Sequence, residues 1–408
     1  MIKMTTLPRF IQISTLTTYP ASLLNRDDSG LSKRIPFGGV SRTRISSQCL
    51  KRHWRTAEGP WSLLNVDPDI VTSVRSRKTF PEKIEKPLIE SGLDAEKVVA
   101  ASQGLQSELY GSKGTANAAK NKKSQSSESE SPSLEMLLSP ARSEVVVLGL
   151  PEIEFLKKAV RDLASQDKSA KEITGGAAQW YKDHKKDFQA LKYGAGLDAA
   201  MFGRFISGDA DARVSAAVHV AHAFTVHAEE SETDYFTAVD DLDNMGSAHI
   251  NATELTSGIF YNYIVVDVPQ LVSNIEGCPP GEWRSARRDV AGRLIKHLLH
   301  LIATVTPGAK LGSTAPYARP WFVMAEAGES QPFTLADAFY RPVPLRDDMR
   351  AQTLSQLESY VSRSDEMYGM DTKRWVASMY DVAIPQSATV SLNQMGEDLE
   401  QAVISLRL

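Results

Sequence analysis

Apolar and polar residues alternate through Phe10–Thr15, with Ile11 and Ile13 on one face and Gln12 and Ser14 on the other, which predicts a half-buried strand. A loop with Pro20 and the LNRDD stretch follows, then a Gly38–Gly39 turn and a short strand through Thr43–Ile45. Ser46 or Ser47 is expected to cap a helix from about Gln48 to Thr56. On that helix Lys51 and Arg55 share one face and Leu50 and Trp54 another. The apolar side docks on the body and the basic side looks outward. Residues 61–190 read as mostly helical and irregular. Within them Gly114–Ser133 is low-complexity and polar, a mobile loop, and the lysine-rich Ile153–Asp187 has the period of a solvated helix. Val214, Val218 and Ala221 recur at helical spacing and predict a helix over Ala212–Ala228. Ile259–Val268 reads as a strand, Arg284–Val305 as a long amphipathic helix and Trp321–Met324 as a further strand. The order suits an α+β sheet with helices packed on one side.

With 408 residues, 42% of them apolar and 24% charged, the chain suits a soluble globular protein of two or three domains, or of one domain with large insertions. Two cysteines, Cys49 and Cys278, exclude a disulfide framework and favour a reducing, intracellular setting. The start MIKMTTLPRF lacks the apolar region of a signal peptide, and no membrane span is expected.

Charge changes the picture. Leu24–Arg55 carries eight lysines and arginines against Asp27 and Asp28, a local balance of +6 in a chain whose total is -4, so the remainder sums to -10. That asymmetry points to a polyanion-binding face on an acidic body. The Gly38–Gly39 pair would let backbone approach a ligand closely, and Ser46 and Ser47 stand where a helix would begin with outward amides. Glu229–Gly258 is the counterpart: eight carboxylates, no lysine or arginine, and enough apolar residues (Tyr235, Phe236, Val239, Leu242, Met245, Ile250) to argue against disorder. It reads as an acidic hook leaving a helix and returning to a strand. Head-to-tail contact between copies would pair hook with basic groove and build an open filament; the alternative is a hook folded back on its own body.

LNRDDSG, FGGVSRTRISSQCLKR, FTAVDD, GSAHI, TSGIFY and TPGAK stand in that order along the chain. Through these motifs it resembles the CasC family, the repeated backbone subunit of the type I-E CRISPR Cascade complex. The resemblance implies an α+β, hand-like fold. A modified RRM-like (ferredoxin-like) palm would comprise residues 1–60 and 191–345, with a helical fingers insertion at 61–190 holding the low-complexity loop 114–133. A thumb hook would follow at 229–258, and a mostly helical extension at 346–408. It implies no enzymatic activity, metal or cofactor. Copies would line up head-to-tail on a CRISPR RNA, kink it periodically and present it to a target DNA strand, with other Cascade subunits, in cytoplasmic antiviral defence. Carried over residue by residue, Arg26, Lys33, Arg42, Arg44, Lys51 and Arg55 take basic positions near the RNA backbone, with Ser46, Ser47 and Gln48 beside them and Lys310 as a further phosphate contact. Thr237 and Ile250 match thumb residues that wedge against the guide, and Phe205 stands where relatives place a flexible apolar residue. Val40 occupies a position that can be basic in relatives.

The chemistry agrees. A guide of variable sequence must be gripped by phosphate and ribose, for which Lys, Arg and hydroxyl groups are suited. Its bases must stay open for pairing, and no RNP1 pattern for stacking bases on a sheet is present. Apolar wedges interrupt stacking at a cost of about a few kcal/mol per step. The rivals are a metal-dependent RNA-cleaving subunit using Asp27 and Asp28, which otherwise hold Arg26 or cap their loop; a zinc site at His219, His222 and His227, whose helical spacing does not converge; an activated Cys49 thiol beside Arg52 and His53, otherwise a small core residue; and an assembly protein without nucleic acid.

Overall fold

A computed structural model describes residues 7–69, 72–111, 134–239 and 247–405, the side chains of 238–251 excepted. The expected loop 114–133 lies outside the described residues. The chain divides into two units: residues 1–66, 218–272 and 280–408 form the first, 67–217 and 273–279 the second. Residues 191–217, expected in the palm, thus belong to the second unit.

The first unit opens with β1 (Phe10–Ser22), β2 (Arg34–Phe37), β3 (Val40–Ile45) and α1 (Ser47–Thr56). The second unit holds β4 (Val74–Ser76) paired antiparallel to β5 (Val146–Leu148). Around them the helices Ala95–Tyr110, Leu150–Ala164 and Ala170–Ala190 enclose a core of Phe80, Leu105, Leu156 and Phe188. Ser169 starts the last of these in a capping box with Glu172. Back in the first unit come β6 (Val218–Val220), β7 (Ala223–Thr225), β8 (Ser231–Val239), β9 (Ser247–Asp267) and β10 (Phe322–Gly328), then β11 (Lys373–Ser378) and β12 (Ser387–Thr389).

The sheet runs β12-β11-β10-β1-β9-β7-β3-β2, with β6 and β8 also paired to β9. All pairings are antiparallel except β11 with β12. The architecture is α+β, as expected. Helices cover both faces rather than one. Leu16, Tyr261, Phe322 and Met324 pack against Phe339, Leu354, Leu357 and Val361, from the region of helix Met349–Tyr368. On the other face Leu50 and Trp54 of α1 and Ile302 of helix Asp289–Thr304 meet Thr15, Thr17 and Phe260. Hence β1 is buried on both sides. Its polar residues are accommodated by bonding: Gln12 Oε1 accepts Tyr263 Oη at 2.5 Å and Phe333 N at 3.1 Å, and Ser14 Oγ lies 3.2 Å from Tyr261 Oη.

Three further expectations change. The helix over Ala212–Ala228 is two short strands, β6 and β7, because β9 offers an unpaired edge and Val218 and Val220 also fit a period of two. The helical spacing of Val214, Val218 and Ala221 was coincident with that pattern. The helix predicted from Arg284 begins at Asp289. The C-terminal region adds β11 and β12 to the sheet beside its two helices. No helix among the described residues is long and apolar enough to cross a membrane.

Candidate nucleic-acid interface

The basic segment is built as a hairpin running into a helix. β2 and β3 join through Gly38 and Gly39, at φ 63° and 80°, with Phe37 opposite Val40. Positive φ at both positions is the hairpin turn that favours glycine. The bare α-carbon of Gly38 serves the protein's own packing: a Cβ there would lie 1.7 Å from the Tyr340 carbonyl oxygen. Nothing within 4 Å would meet one at Gly39.

Arg42 does not face a ligand. It is fully buried and donates to the carbonyls of Phe37 (3.2 Å), Thr225 (2.9 Å) and Phe339 (2.8 Å). Burial pulls its pKa down to about 10. The expected phosphate contact at Arg42 is therefore corrected to a clamp that ties the hairpin turn to the segment after residue 338. Arg34 is likewise engaged, with Glu229 and Glu254 at the base of the acidic excursion. Glu254 also accepts Ser32 N at 2.6 Å and Glu229 accepts Ser41 Oγ at 2.9 Å. The hook's base thus folds onto its own basic segment, so the formal +6 overstates the charge presented outward.

The other basic residues gather around α1. Ser46 caps it by accepting Cys49 N at 3.3 Å, while Leu50 and Trp54 anchor its inner face. Full burial of such side chains is worth about 1.5–3 kcal/mol each. The amides expected to point outward are taken: Ser46 N donates to Asn25 Oδ1 at 2.9 Å and Ser47 N to His222 Nδ1 at 3.1 Å. Arg44 bonds the Arg34 carbonyl at 3.2 Å and reaches within 3.4 Å of the same His222 nitrogen. Arg44 N donates to the Lys33 carbonyl at 2.8 Å, which sets the two basic residues side by side. Gln48 is exposed, and Lys51 and Arg55 are half-exposed along the helix. Arg26 is exposed, its backbone paired with Ser32. Structure thus brings Lys33, Arg44, Ser46, Ser47, Gln48, Lys51 and Arg55 onto one hairpin–helix segment, with His222, which charge counting missed because it lies about 175 residues away.

Asp27 closes its own loop, its Oδ1 accepting Ser29 N (2.9 Å) and Leu31 N (3.0 Å). Among the described residues no three His, Cys, Asp or Glu side chains are grouped to hold a metal ion. Burial pushes the Cys49 thiol up, against the opposing pull of Arg52 and Lys33, which disfavours its thiolate.

The excursion is a β-hairpin leaving a strand, not a helix. β8 and β9 pair from Ser231–Thr256 out to Val239–Ser247, with Thr237 opposite Ile250. The Ile250 side chain lies outside the described residues; Thr237 is exposed. Its neighbours Tyr235 and Phe236 are exposed aromatics that the sequence reading did not select. Lys310 Nζ sits 4.3 Å from the Phe236 ring centroid and donates to Thr253 Oγ1 at 2.9 Å, so it packs on the hairpin. Phe205 belongs to the second unit, 59% exposed, with the Arg213 guanidinium 4.6 Å from its ring centroid. An acidic groove of about 820 Å³ runs along Ser41, Glu229, Glu230 and Glu232.

The family model of the CT1975-like proteins matches residues 11–404. No curated protein matches the chain. A chain of the solved structure titled "CRISPR RNA-guided surveillance complex, pre-nicking" is 26% identical, with a TM-score of 0.73 over 97% of this chain and 100% of that one. A chain of a second, "CRISPR RNA-guided surveillance complex", is 22% identical, with a TM-score of 0.62 over 95% and 99%. The α+β fold with its RRM-like palm is thus shared at full length.

Proposed function

We propose that this chain, which belongs to the CT1975-like family, is a CRISPR RNA-binding backbone subunit of a surveillance complex, of the type I-E Cascade kind. The observation that carries this reading is the gathering of exposed Gln48 with half-exposed Lys33, Arg44, Ser47, Lys51 and Arg55 on one hairpin–helix segment, in a fold matched end to end by surveillance-complex chains. Cations and hydroxyls without a base-stacking platform suit a strand held by its backbone. Copies polymerise head-to-tail along the guide, the β8–β9 hairpin interrupts stacking near Thr237, and the exposed bases pair with target DNA. The subunit itself is non-catalytic, acts in the cytoplasm and needs no cofactor. With ~4–6 phosphate contacts per subunit, each contributes roughly 0.7 to the logarithmic salt slope.

The test is co-expression with a CRISPR array, followed by sequencing of copurifying RNA. Array-derived guides and absorbance at 260 nm above that at 280 nm are expected. Replacing Lys51 and Arg55 together by Ala should lower retention and flatten the salt slope by about 1.4. Unchanged retention refutes the assigned face.

A further inference from the structure

His222, between β6 and β7, is exposed. Its Nδ1 receives the Ser47 N–H at 3.1 Å and has Arg44 Nη1 at 3.4 Å. A ring nitrogen that accepts N–H groups carries no proton, so the imidazole is neutral with its proton on Nε2. Partial burial, then Arg44 and Lys33, hold the ring below its usual pKa, against the Ile45 carbonyl that favours the charged form. This exposed ring therefore carries its one donor on Nε2, beside Lys33, Arg44 and Ser47.

We propose that His222 is a further contact of this interface, its Nε2–H donating to a phosphodiester oxygen of the strand that Lys33 and Arg44 hold. The inference rests on the nucleic-acid reading above and deepens it. A histidine serving only as a helix cap would need Nδ1 alone. A phosphate ligand needs the opposite nitrogen as well. The contact adds a directed hydrogen bond without adding charge, so it fixes where a phosphate sits while displacing no counterion.

Asparagine separates the two roles, since its amide oxygen reproduces the Nδ1 acceptor and leaves the Nε2 position empty. Full-length protein and its His222→Asn and Arg44→Ala variants are titrated with labelled single strands of RNA and of DNA across a salt series. For H222N, melting stays at the wild-type value and affinity falls about fivefold for both strands, the worth of one neutral hydrogen bond. Its salt slope stays unchanged, whereas Arg44→Ala lowers the slope by about 0.7. Wild-type affinity in H222N overturns the proposal. So does a slope lowered as in the arginine variant, which would make the ring a cation, or a loss confined to RNA, which would assign the contact to the ribose hydroxyl. Should H222N melt early, nitrogen NMR of the wild-type ring decides: RNA must shift Nε2, and an unmoved resonance overturns the proposal. Wild-type protein that binds neither strand refutes the underlying reading instead.

Discussion

Arg42→Met is the sharpest test of which cations serve the fold and which serve the ligand. Methionine keeps much of the side chain's volume and deletes all its donors. Three main-chain oxygens, of Phe37, Thr225 and Phe339, then lose a bond in the interior. A stranded buried polar group costs ~1–3 kcal/mol, so three at the low end cost ~3 kcal/mol. For a unit of this size that corresponds to a fall in melting temperature of roughly 6–12 °C. The salt slope of RNA binding should not move, because Arg42 displaces no counterion. Differential scanning calorimetry and a salt titration measure the two quantities on one preparation. A variant that melts like wild type but loses about 0.7 of slope would show the guanidinium facing phosphate, and the assignment of Arg42 as a clamp would fall.

Arg34→Ala releases Glu229 and Glu254 from their shared cation; faster amide exchange at the base of the β8–β9 hairpin is expected, and unchanged protection would refute the bracing role. Gly38→Ala places a Cβ 1.7 Å from the Tyr340 oxygen, whereas Gly39→Ala meets nothing within 4 Å. The second should cost about 1 kcal/mol of left-handed strain and the first several-fold more, read by urea denaturation; equal costs would remove the packing argument. His300 is buried and stacked on Trp61 at 3.6 Å, and its pKa is lowered to about 4 by burial first, then by Lys296 and His297. The folded value lies below the unfolded one of about 6.5. Stability is therefore complete above the unfolded value and falls as pH drops from there to about 4, by at most ~3 kcal/mol. Melting curves of wild type and His300→Gln across that window should converge toward acid; parallel curves would exclude His300 as the cause.

The elements legible in the sequence were those whose signals are local. α1 carries its cap at Ser46, its inner face at Leu50 and Trp54, and its basic face four residues apart, all within ten positions. The Gly38–Gly39 turn is equally self-contained. What was misread depends on distant partners. Val218 and Val220 are strand residues because β9 lies beside them, and the charge of the hook's base is partly offset because Arg34 reaches residues about 195 and 220 positions away. Arg42 and Arg44 are indistinguishable by charge, and the strand period places both on one face of β3, yet distant neighbours separate them: Arg42 is buried against the Thr225 and Phe339 carbonyls, while Arg44 is half-exposed beside His222.

Those different surroundings explain how one short segment can serve the fold and, on the proposed reading, a ligand. On β3 Arg42 fixes the turn to the sheet through three carbonyls, and Arg44 two residues later is held by the Arg34 carbonyl and His222. α1 continues directly from β3, and its Leu50 and Trp54 are sealed in the core. Lys51 and Arg55 are thereby presented one turn apart on a support that does not move with them. On the proposed reading, a guide strand bound to such a row would meet charges whose positions were settled during folding, so less ordering entropy would oppose binding. The carboxylates of the hairpin base cancel the one outward arginine, Arg34, that lies on β2 away from α1. On the proposed reading, a strand held by Lys33, Arg44 and the basic residues of α1 would therefore follow the β3–α1 side.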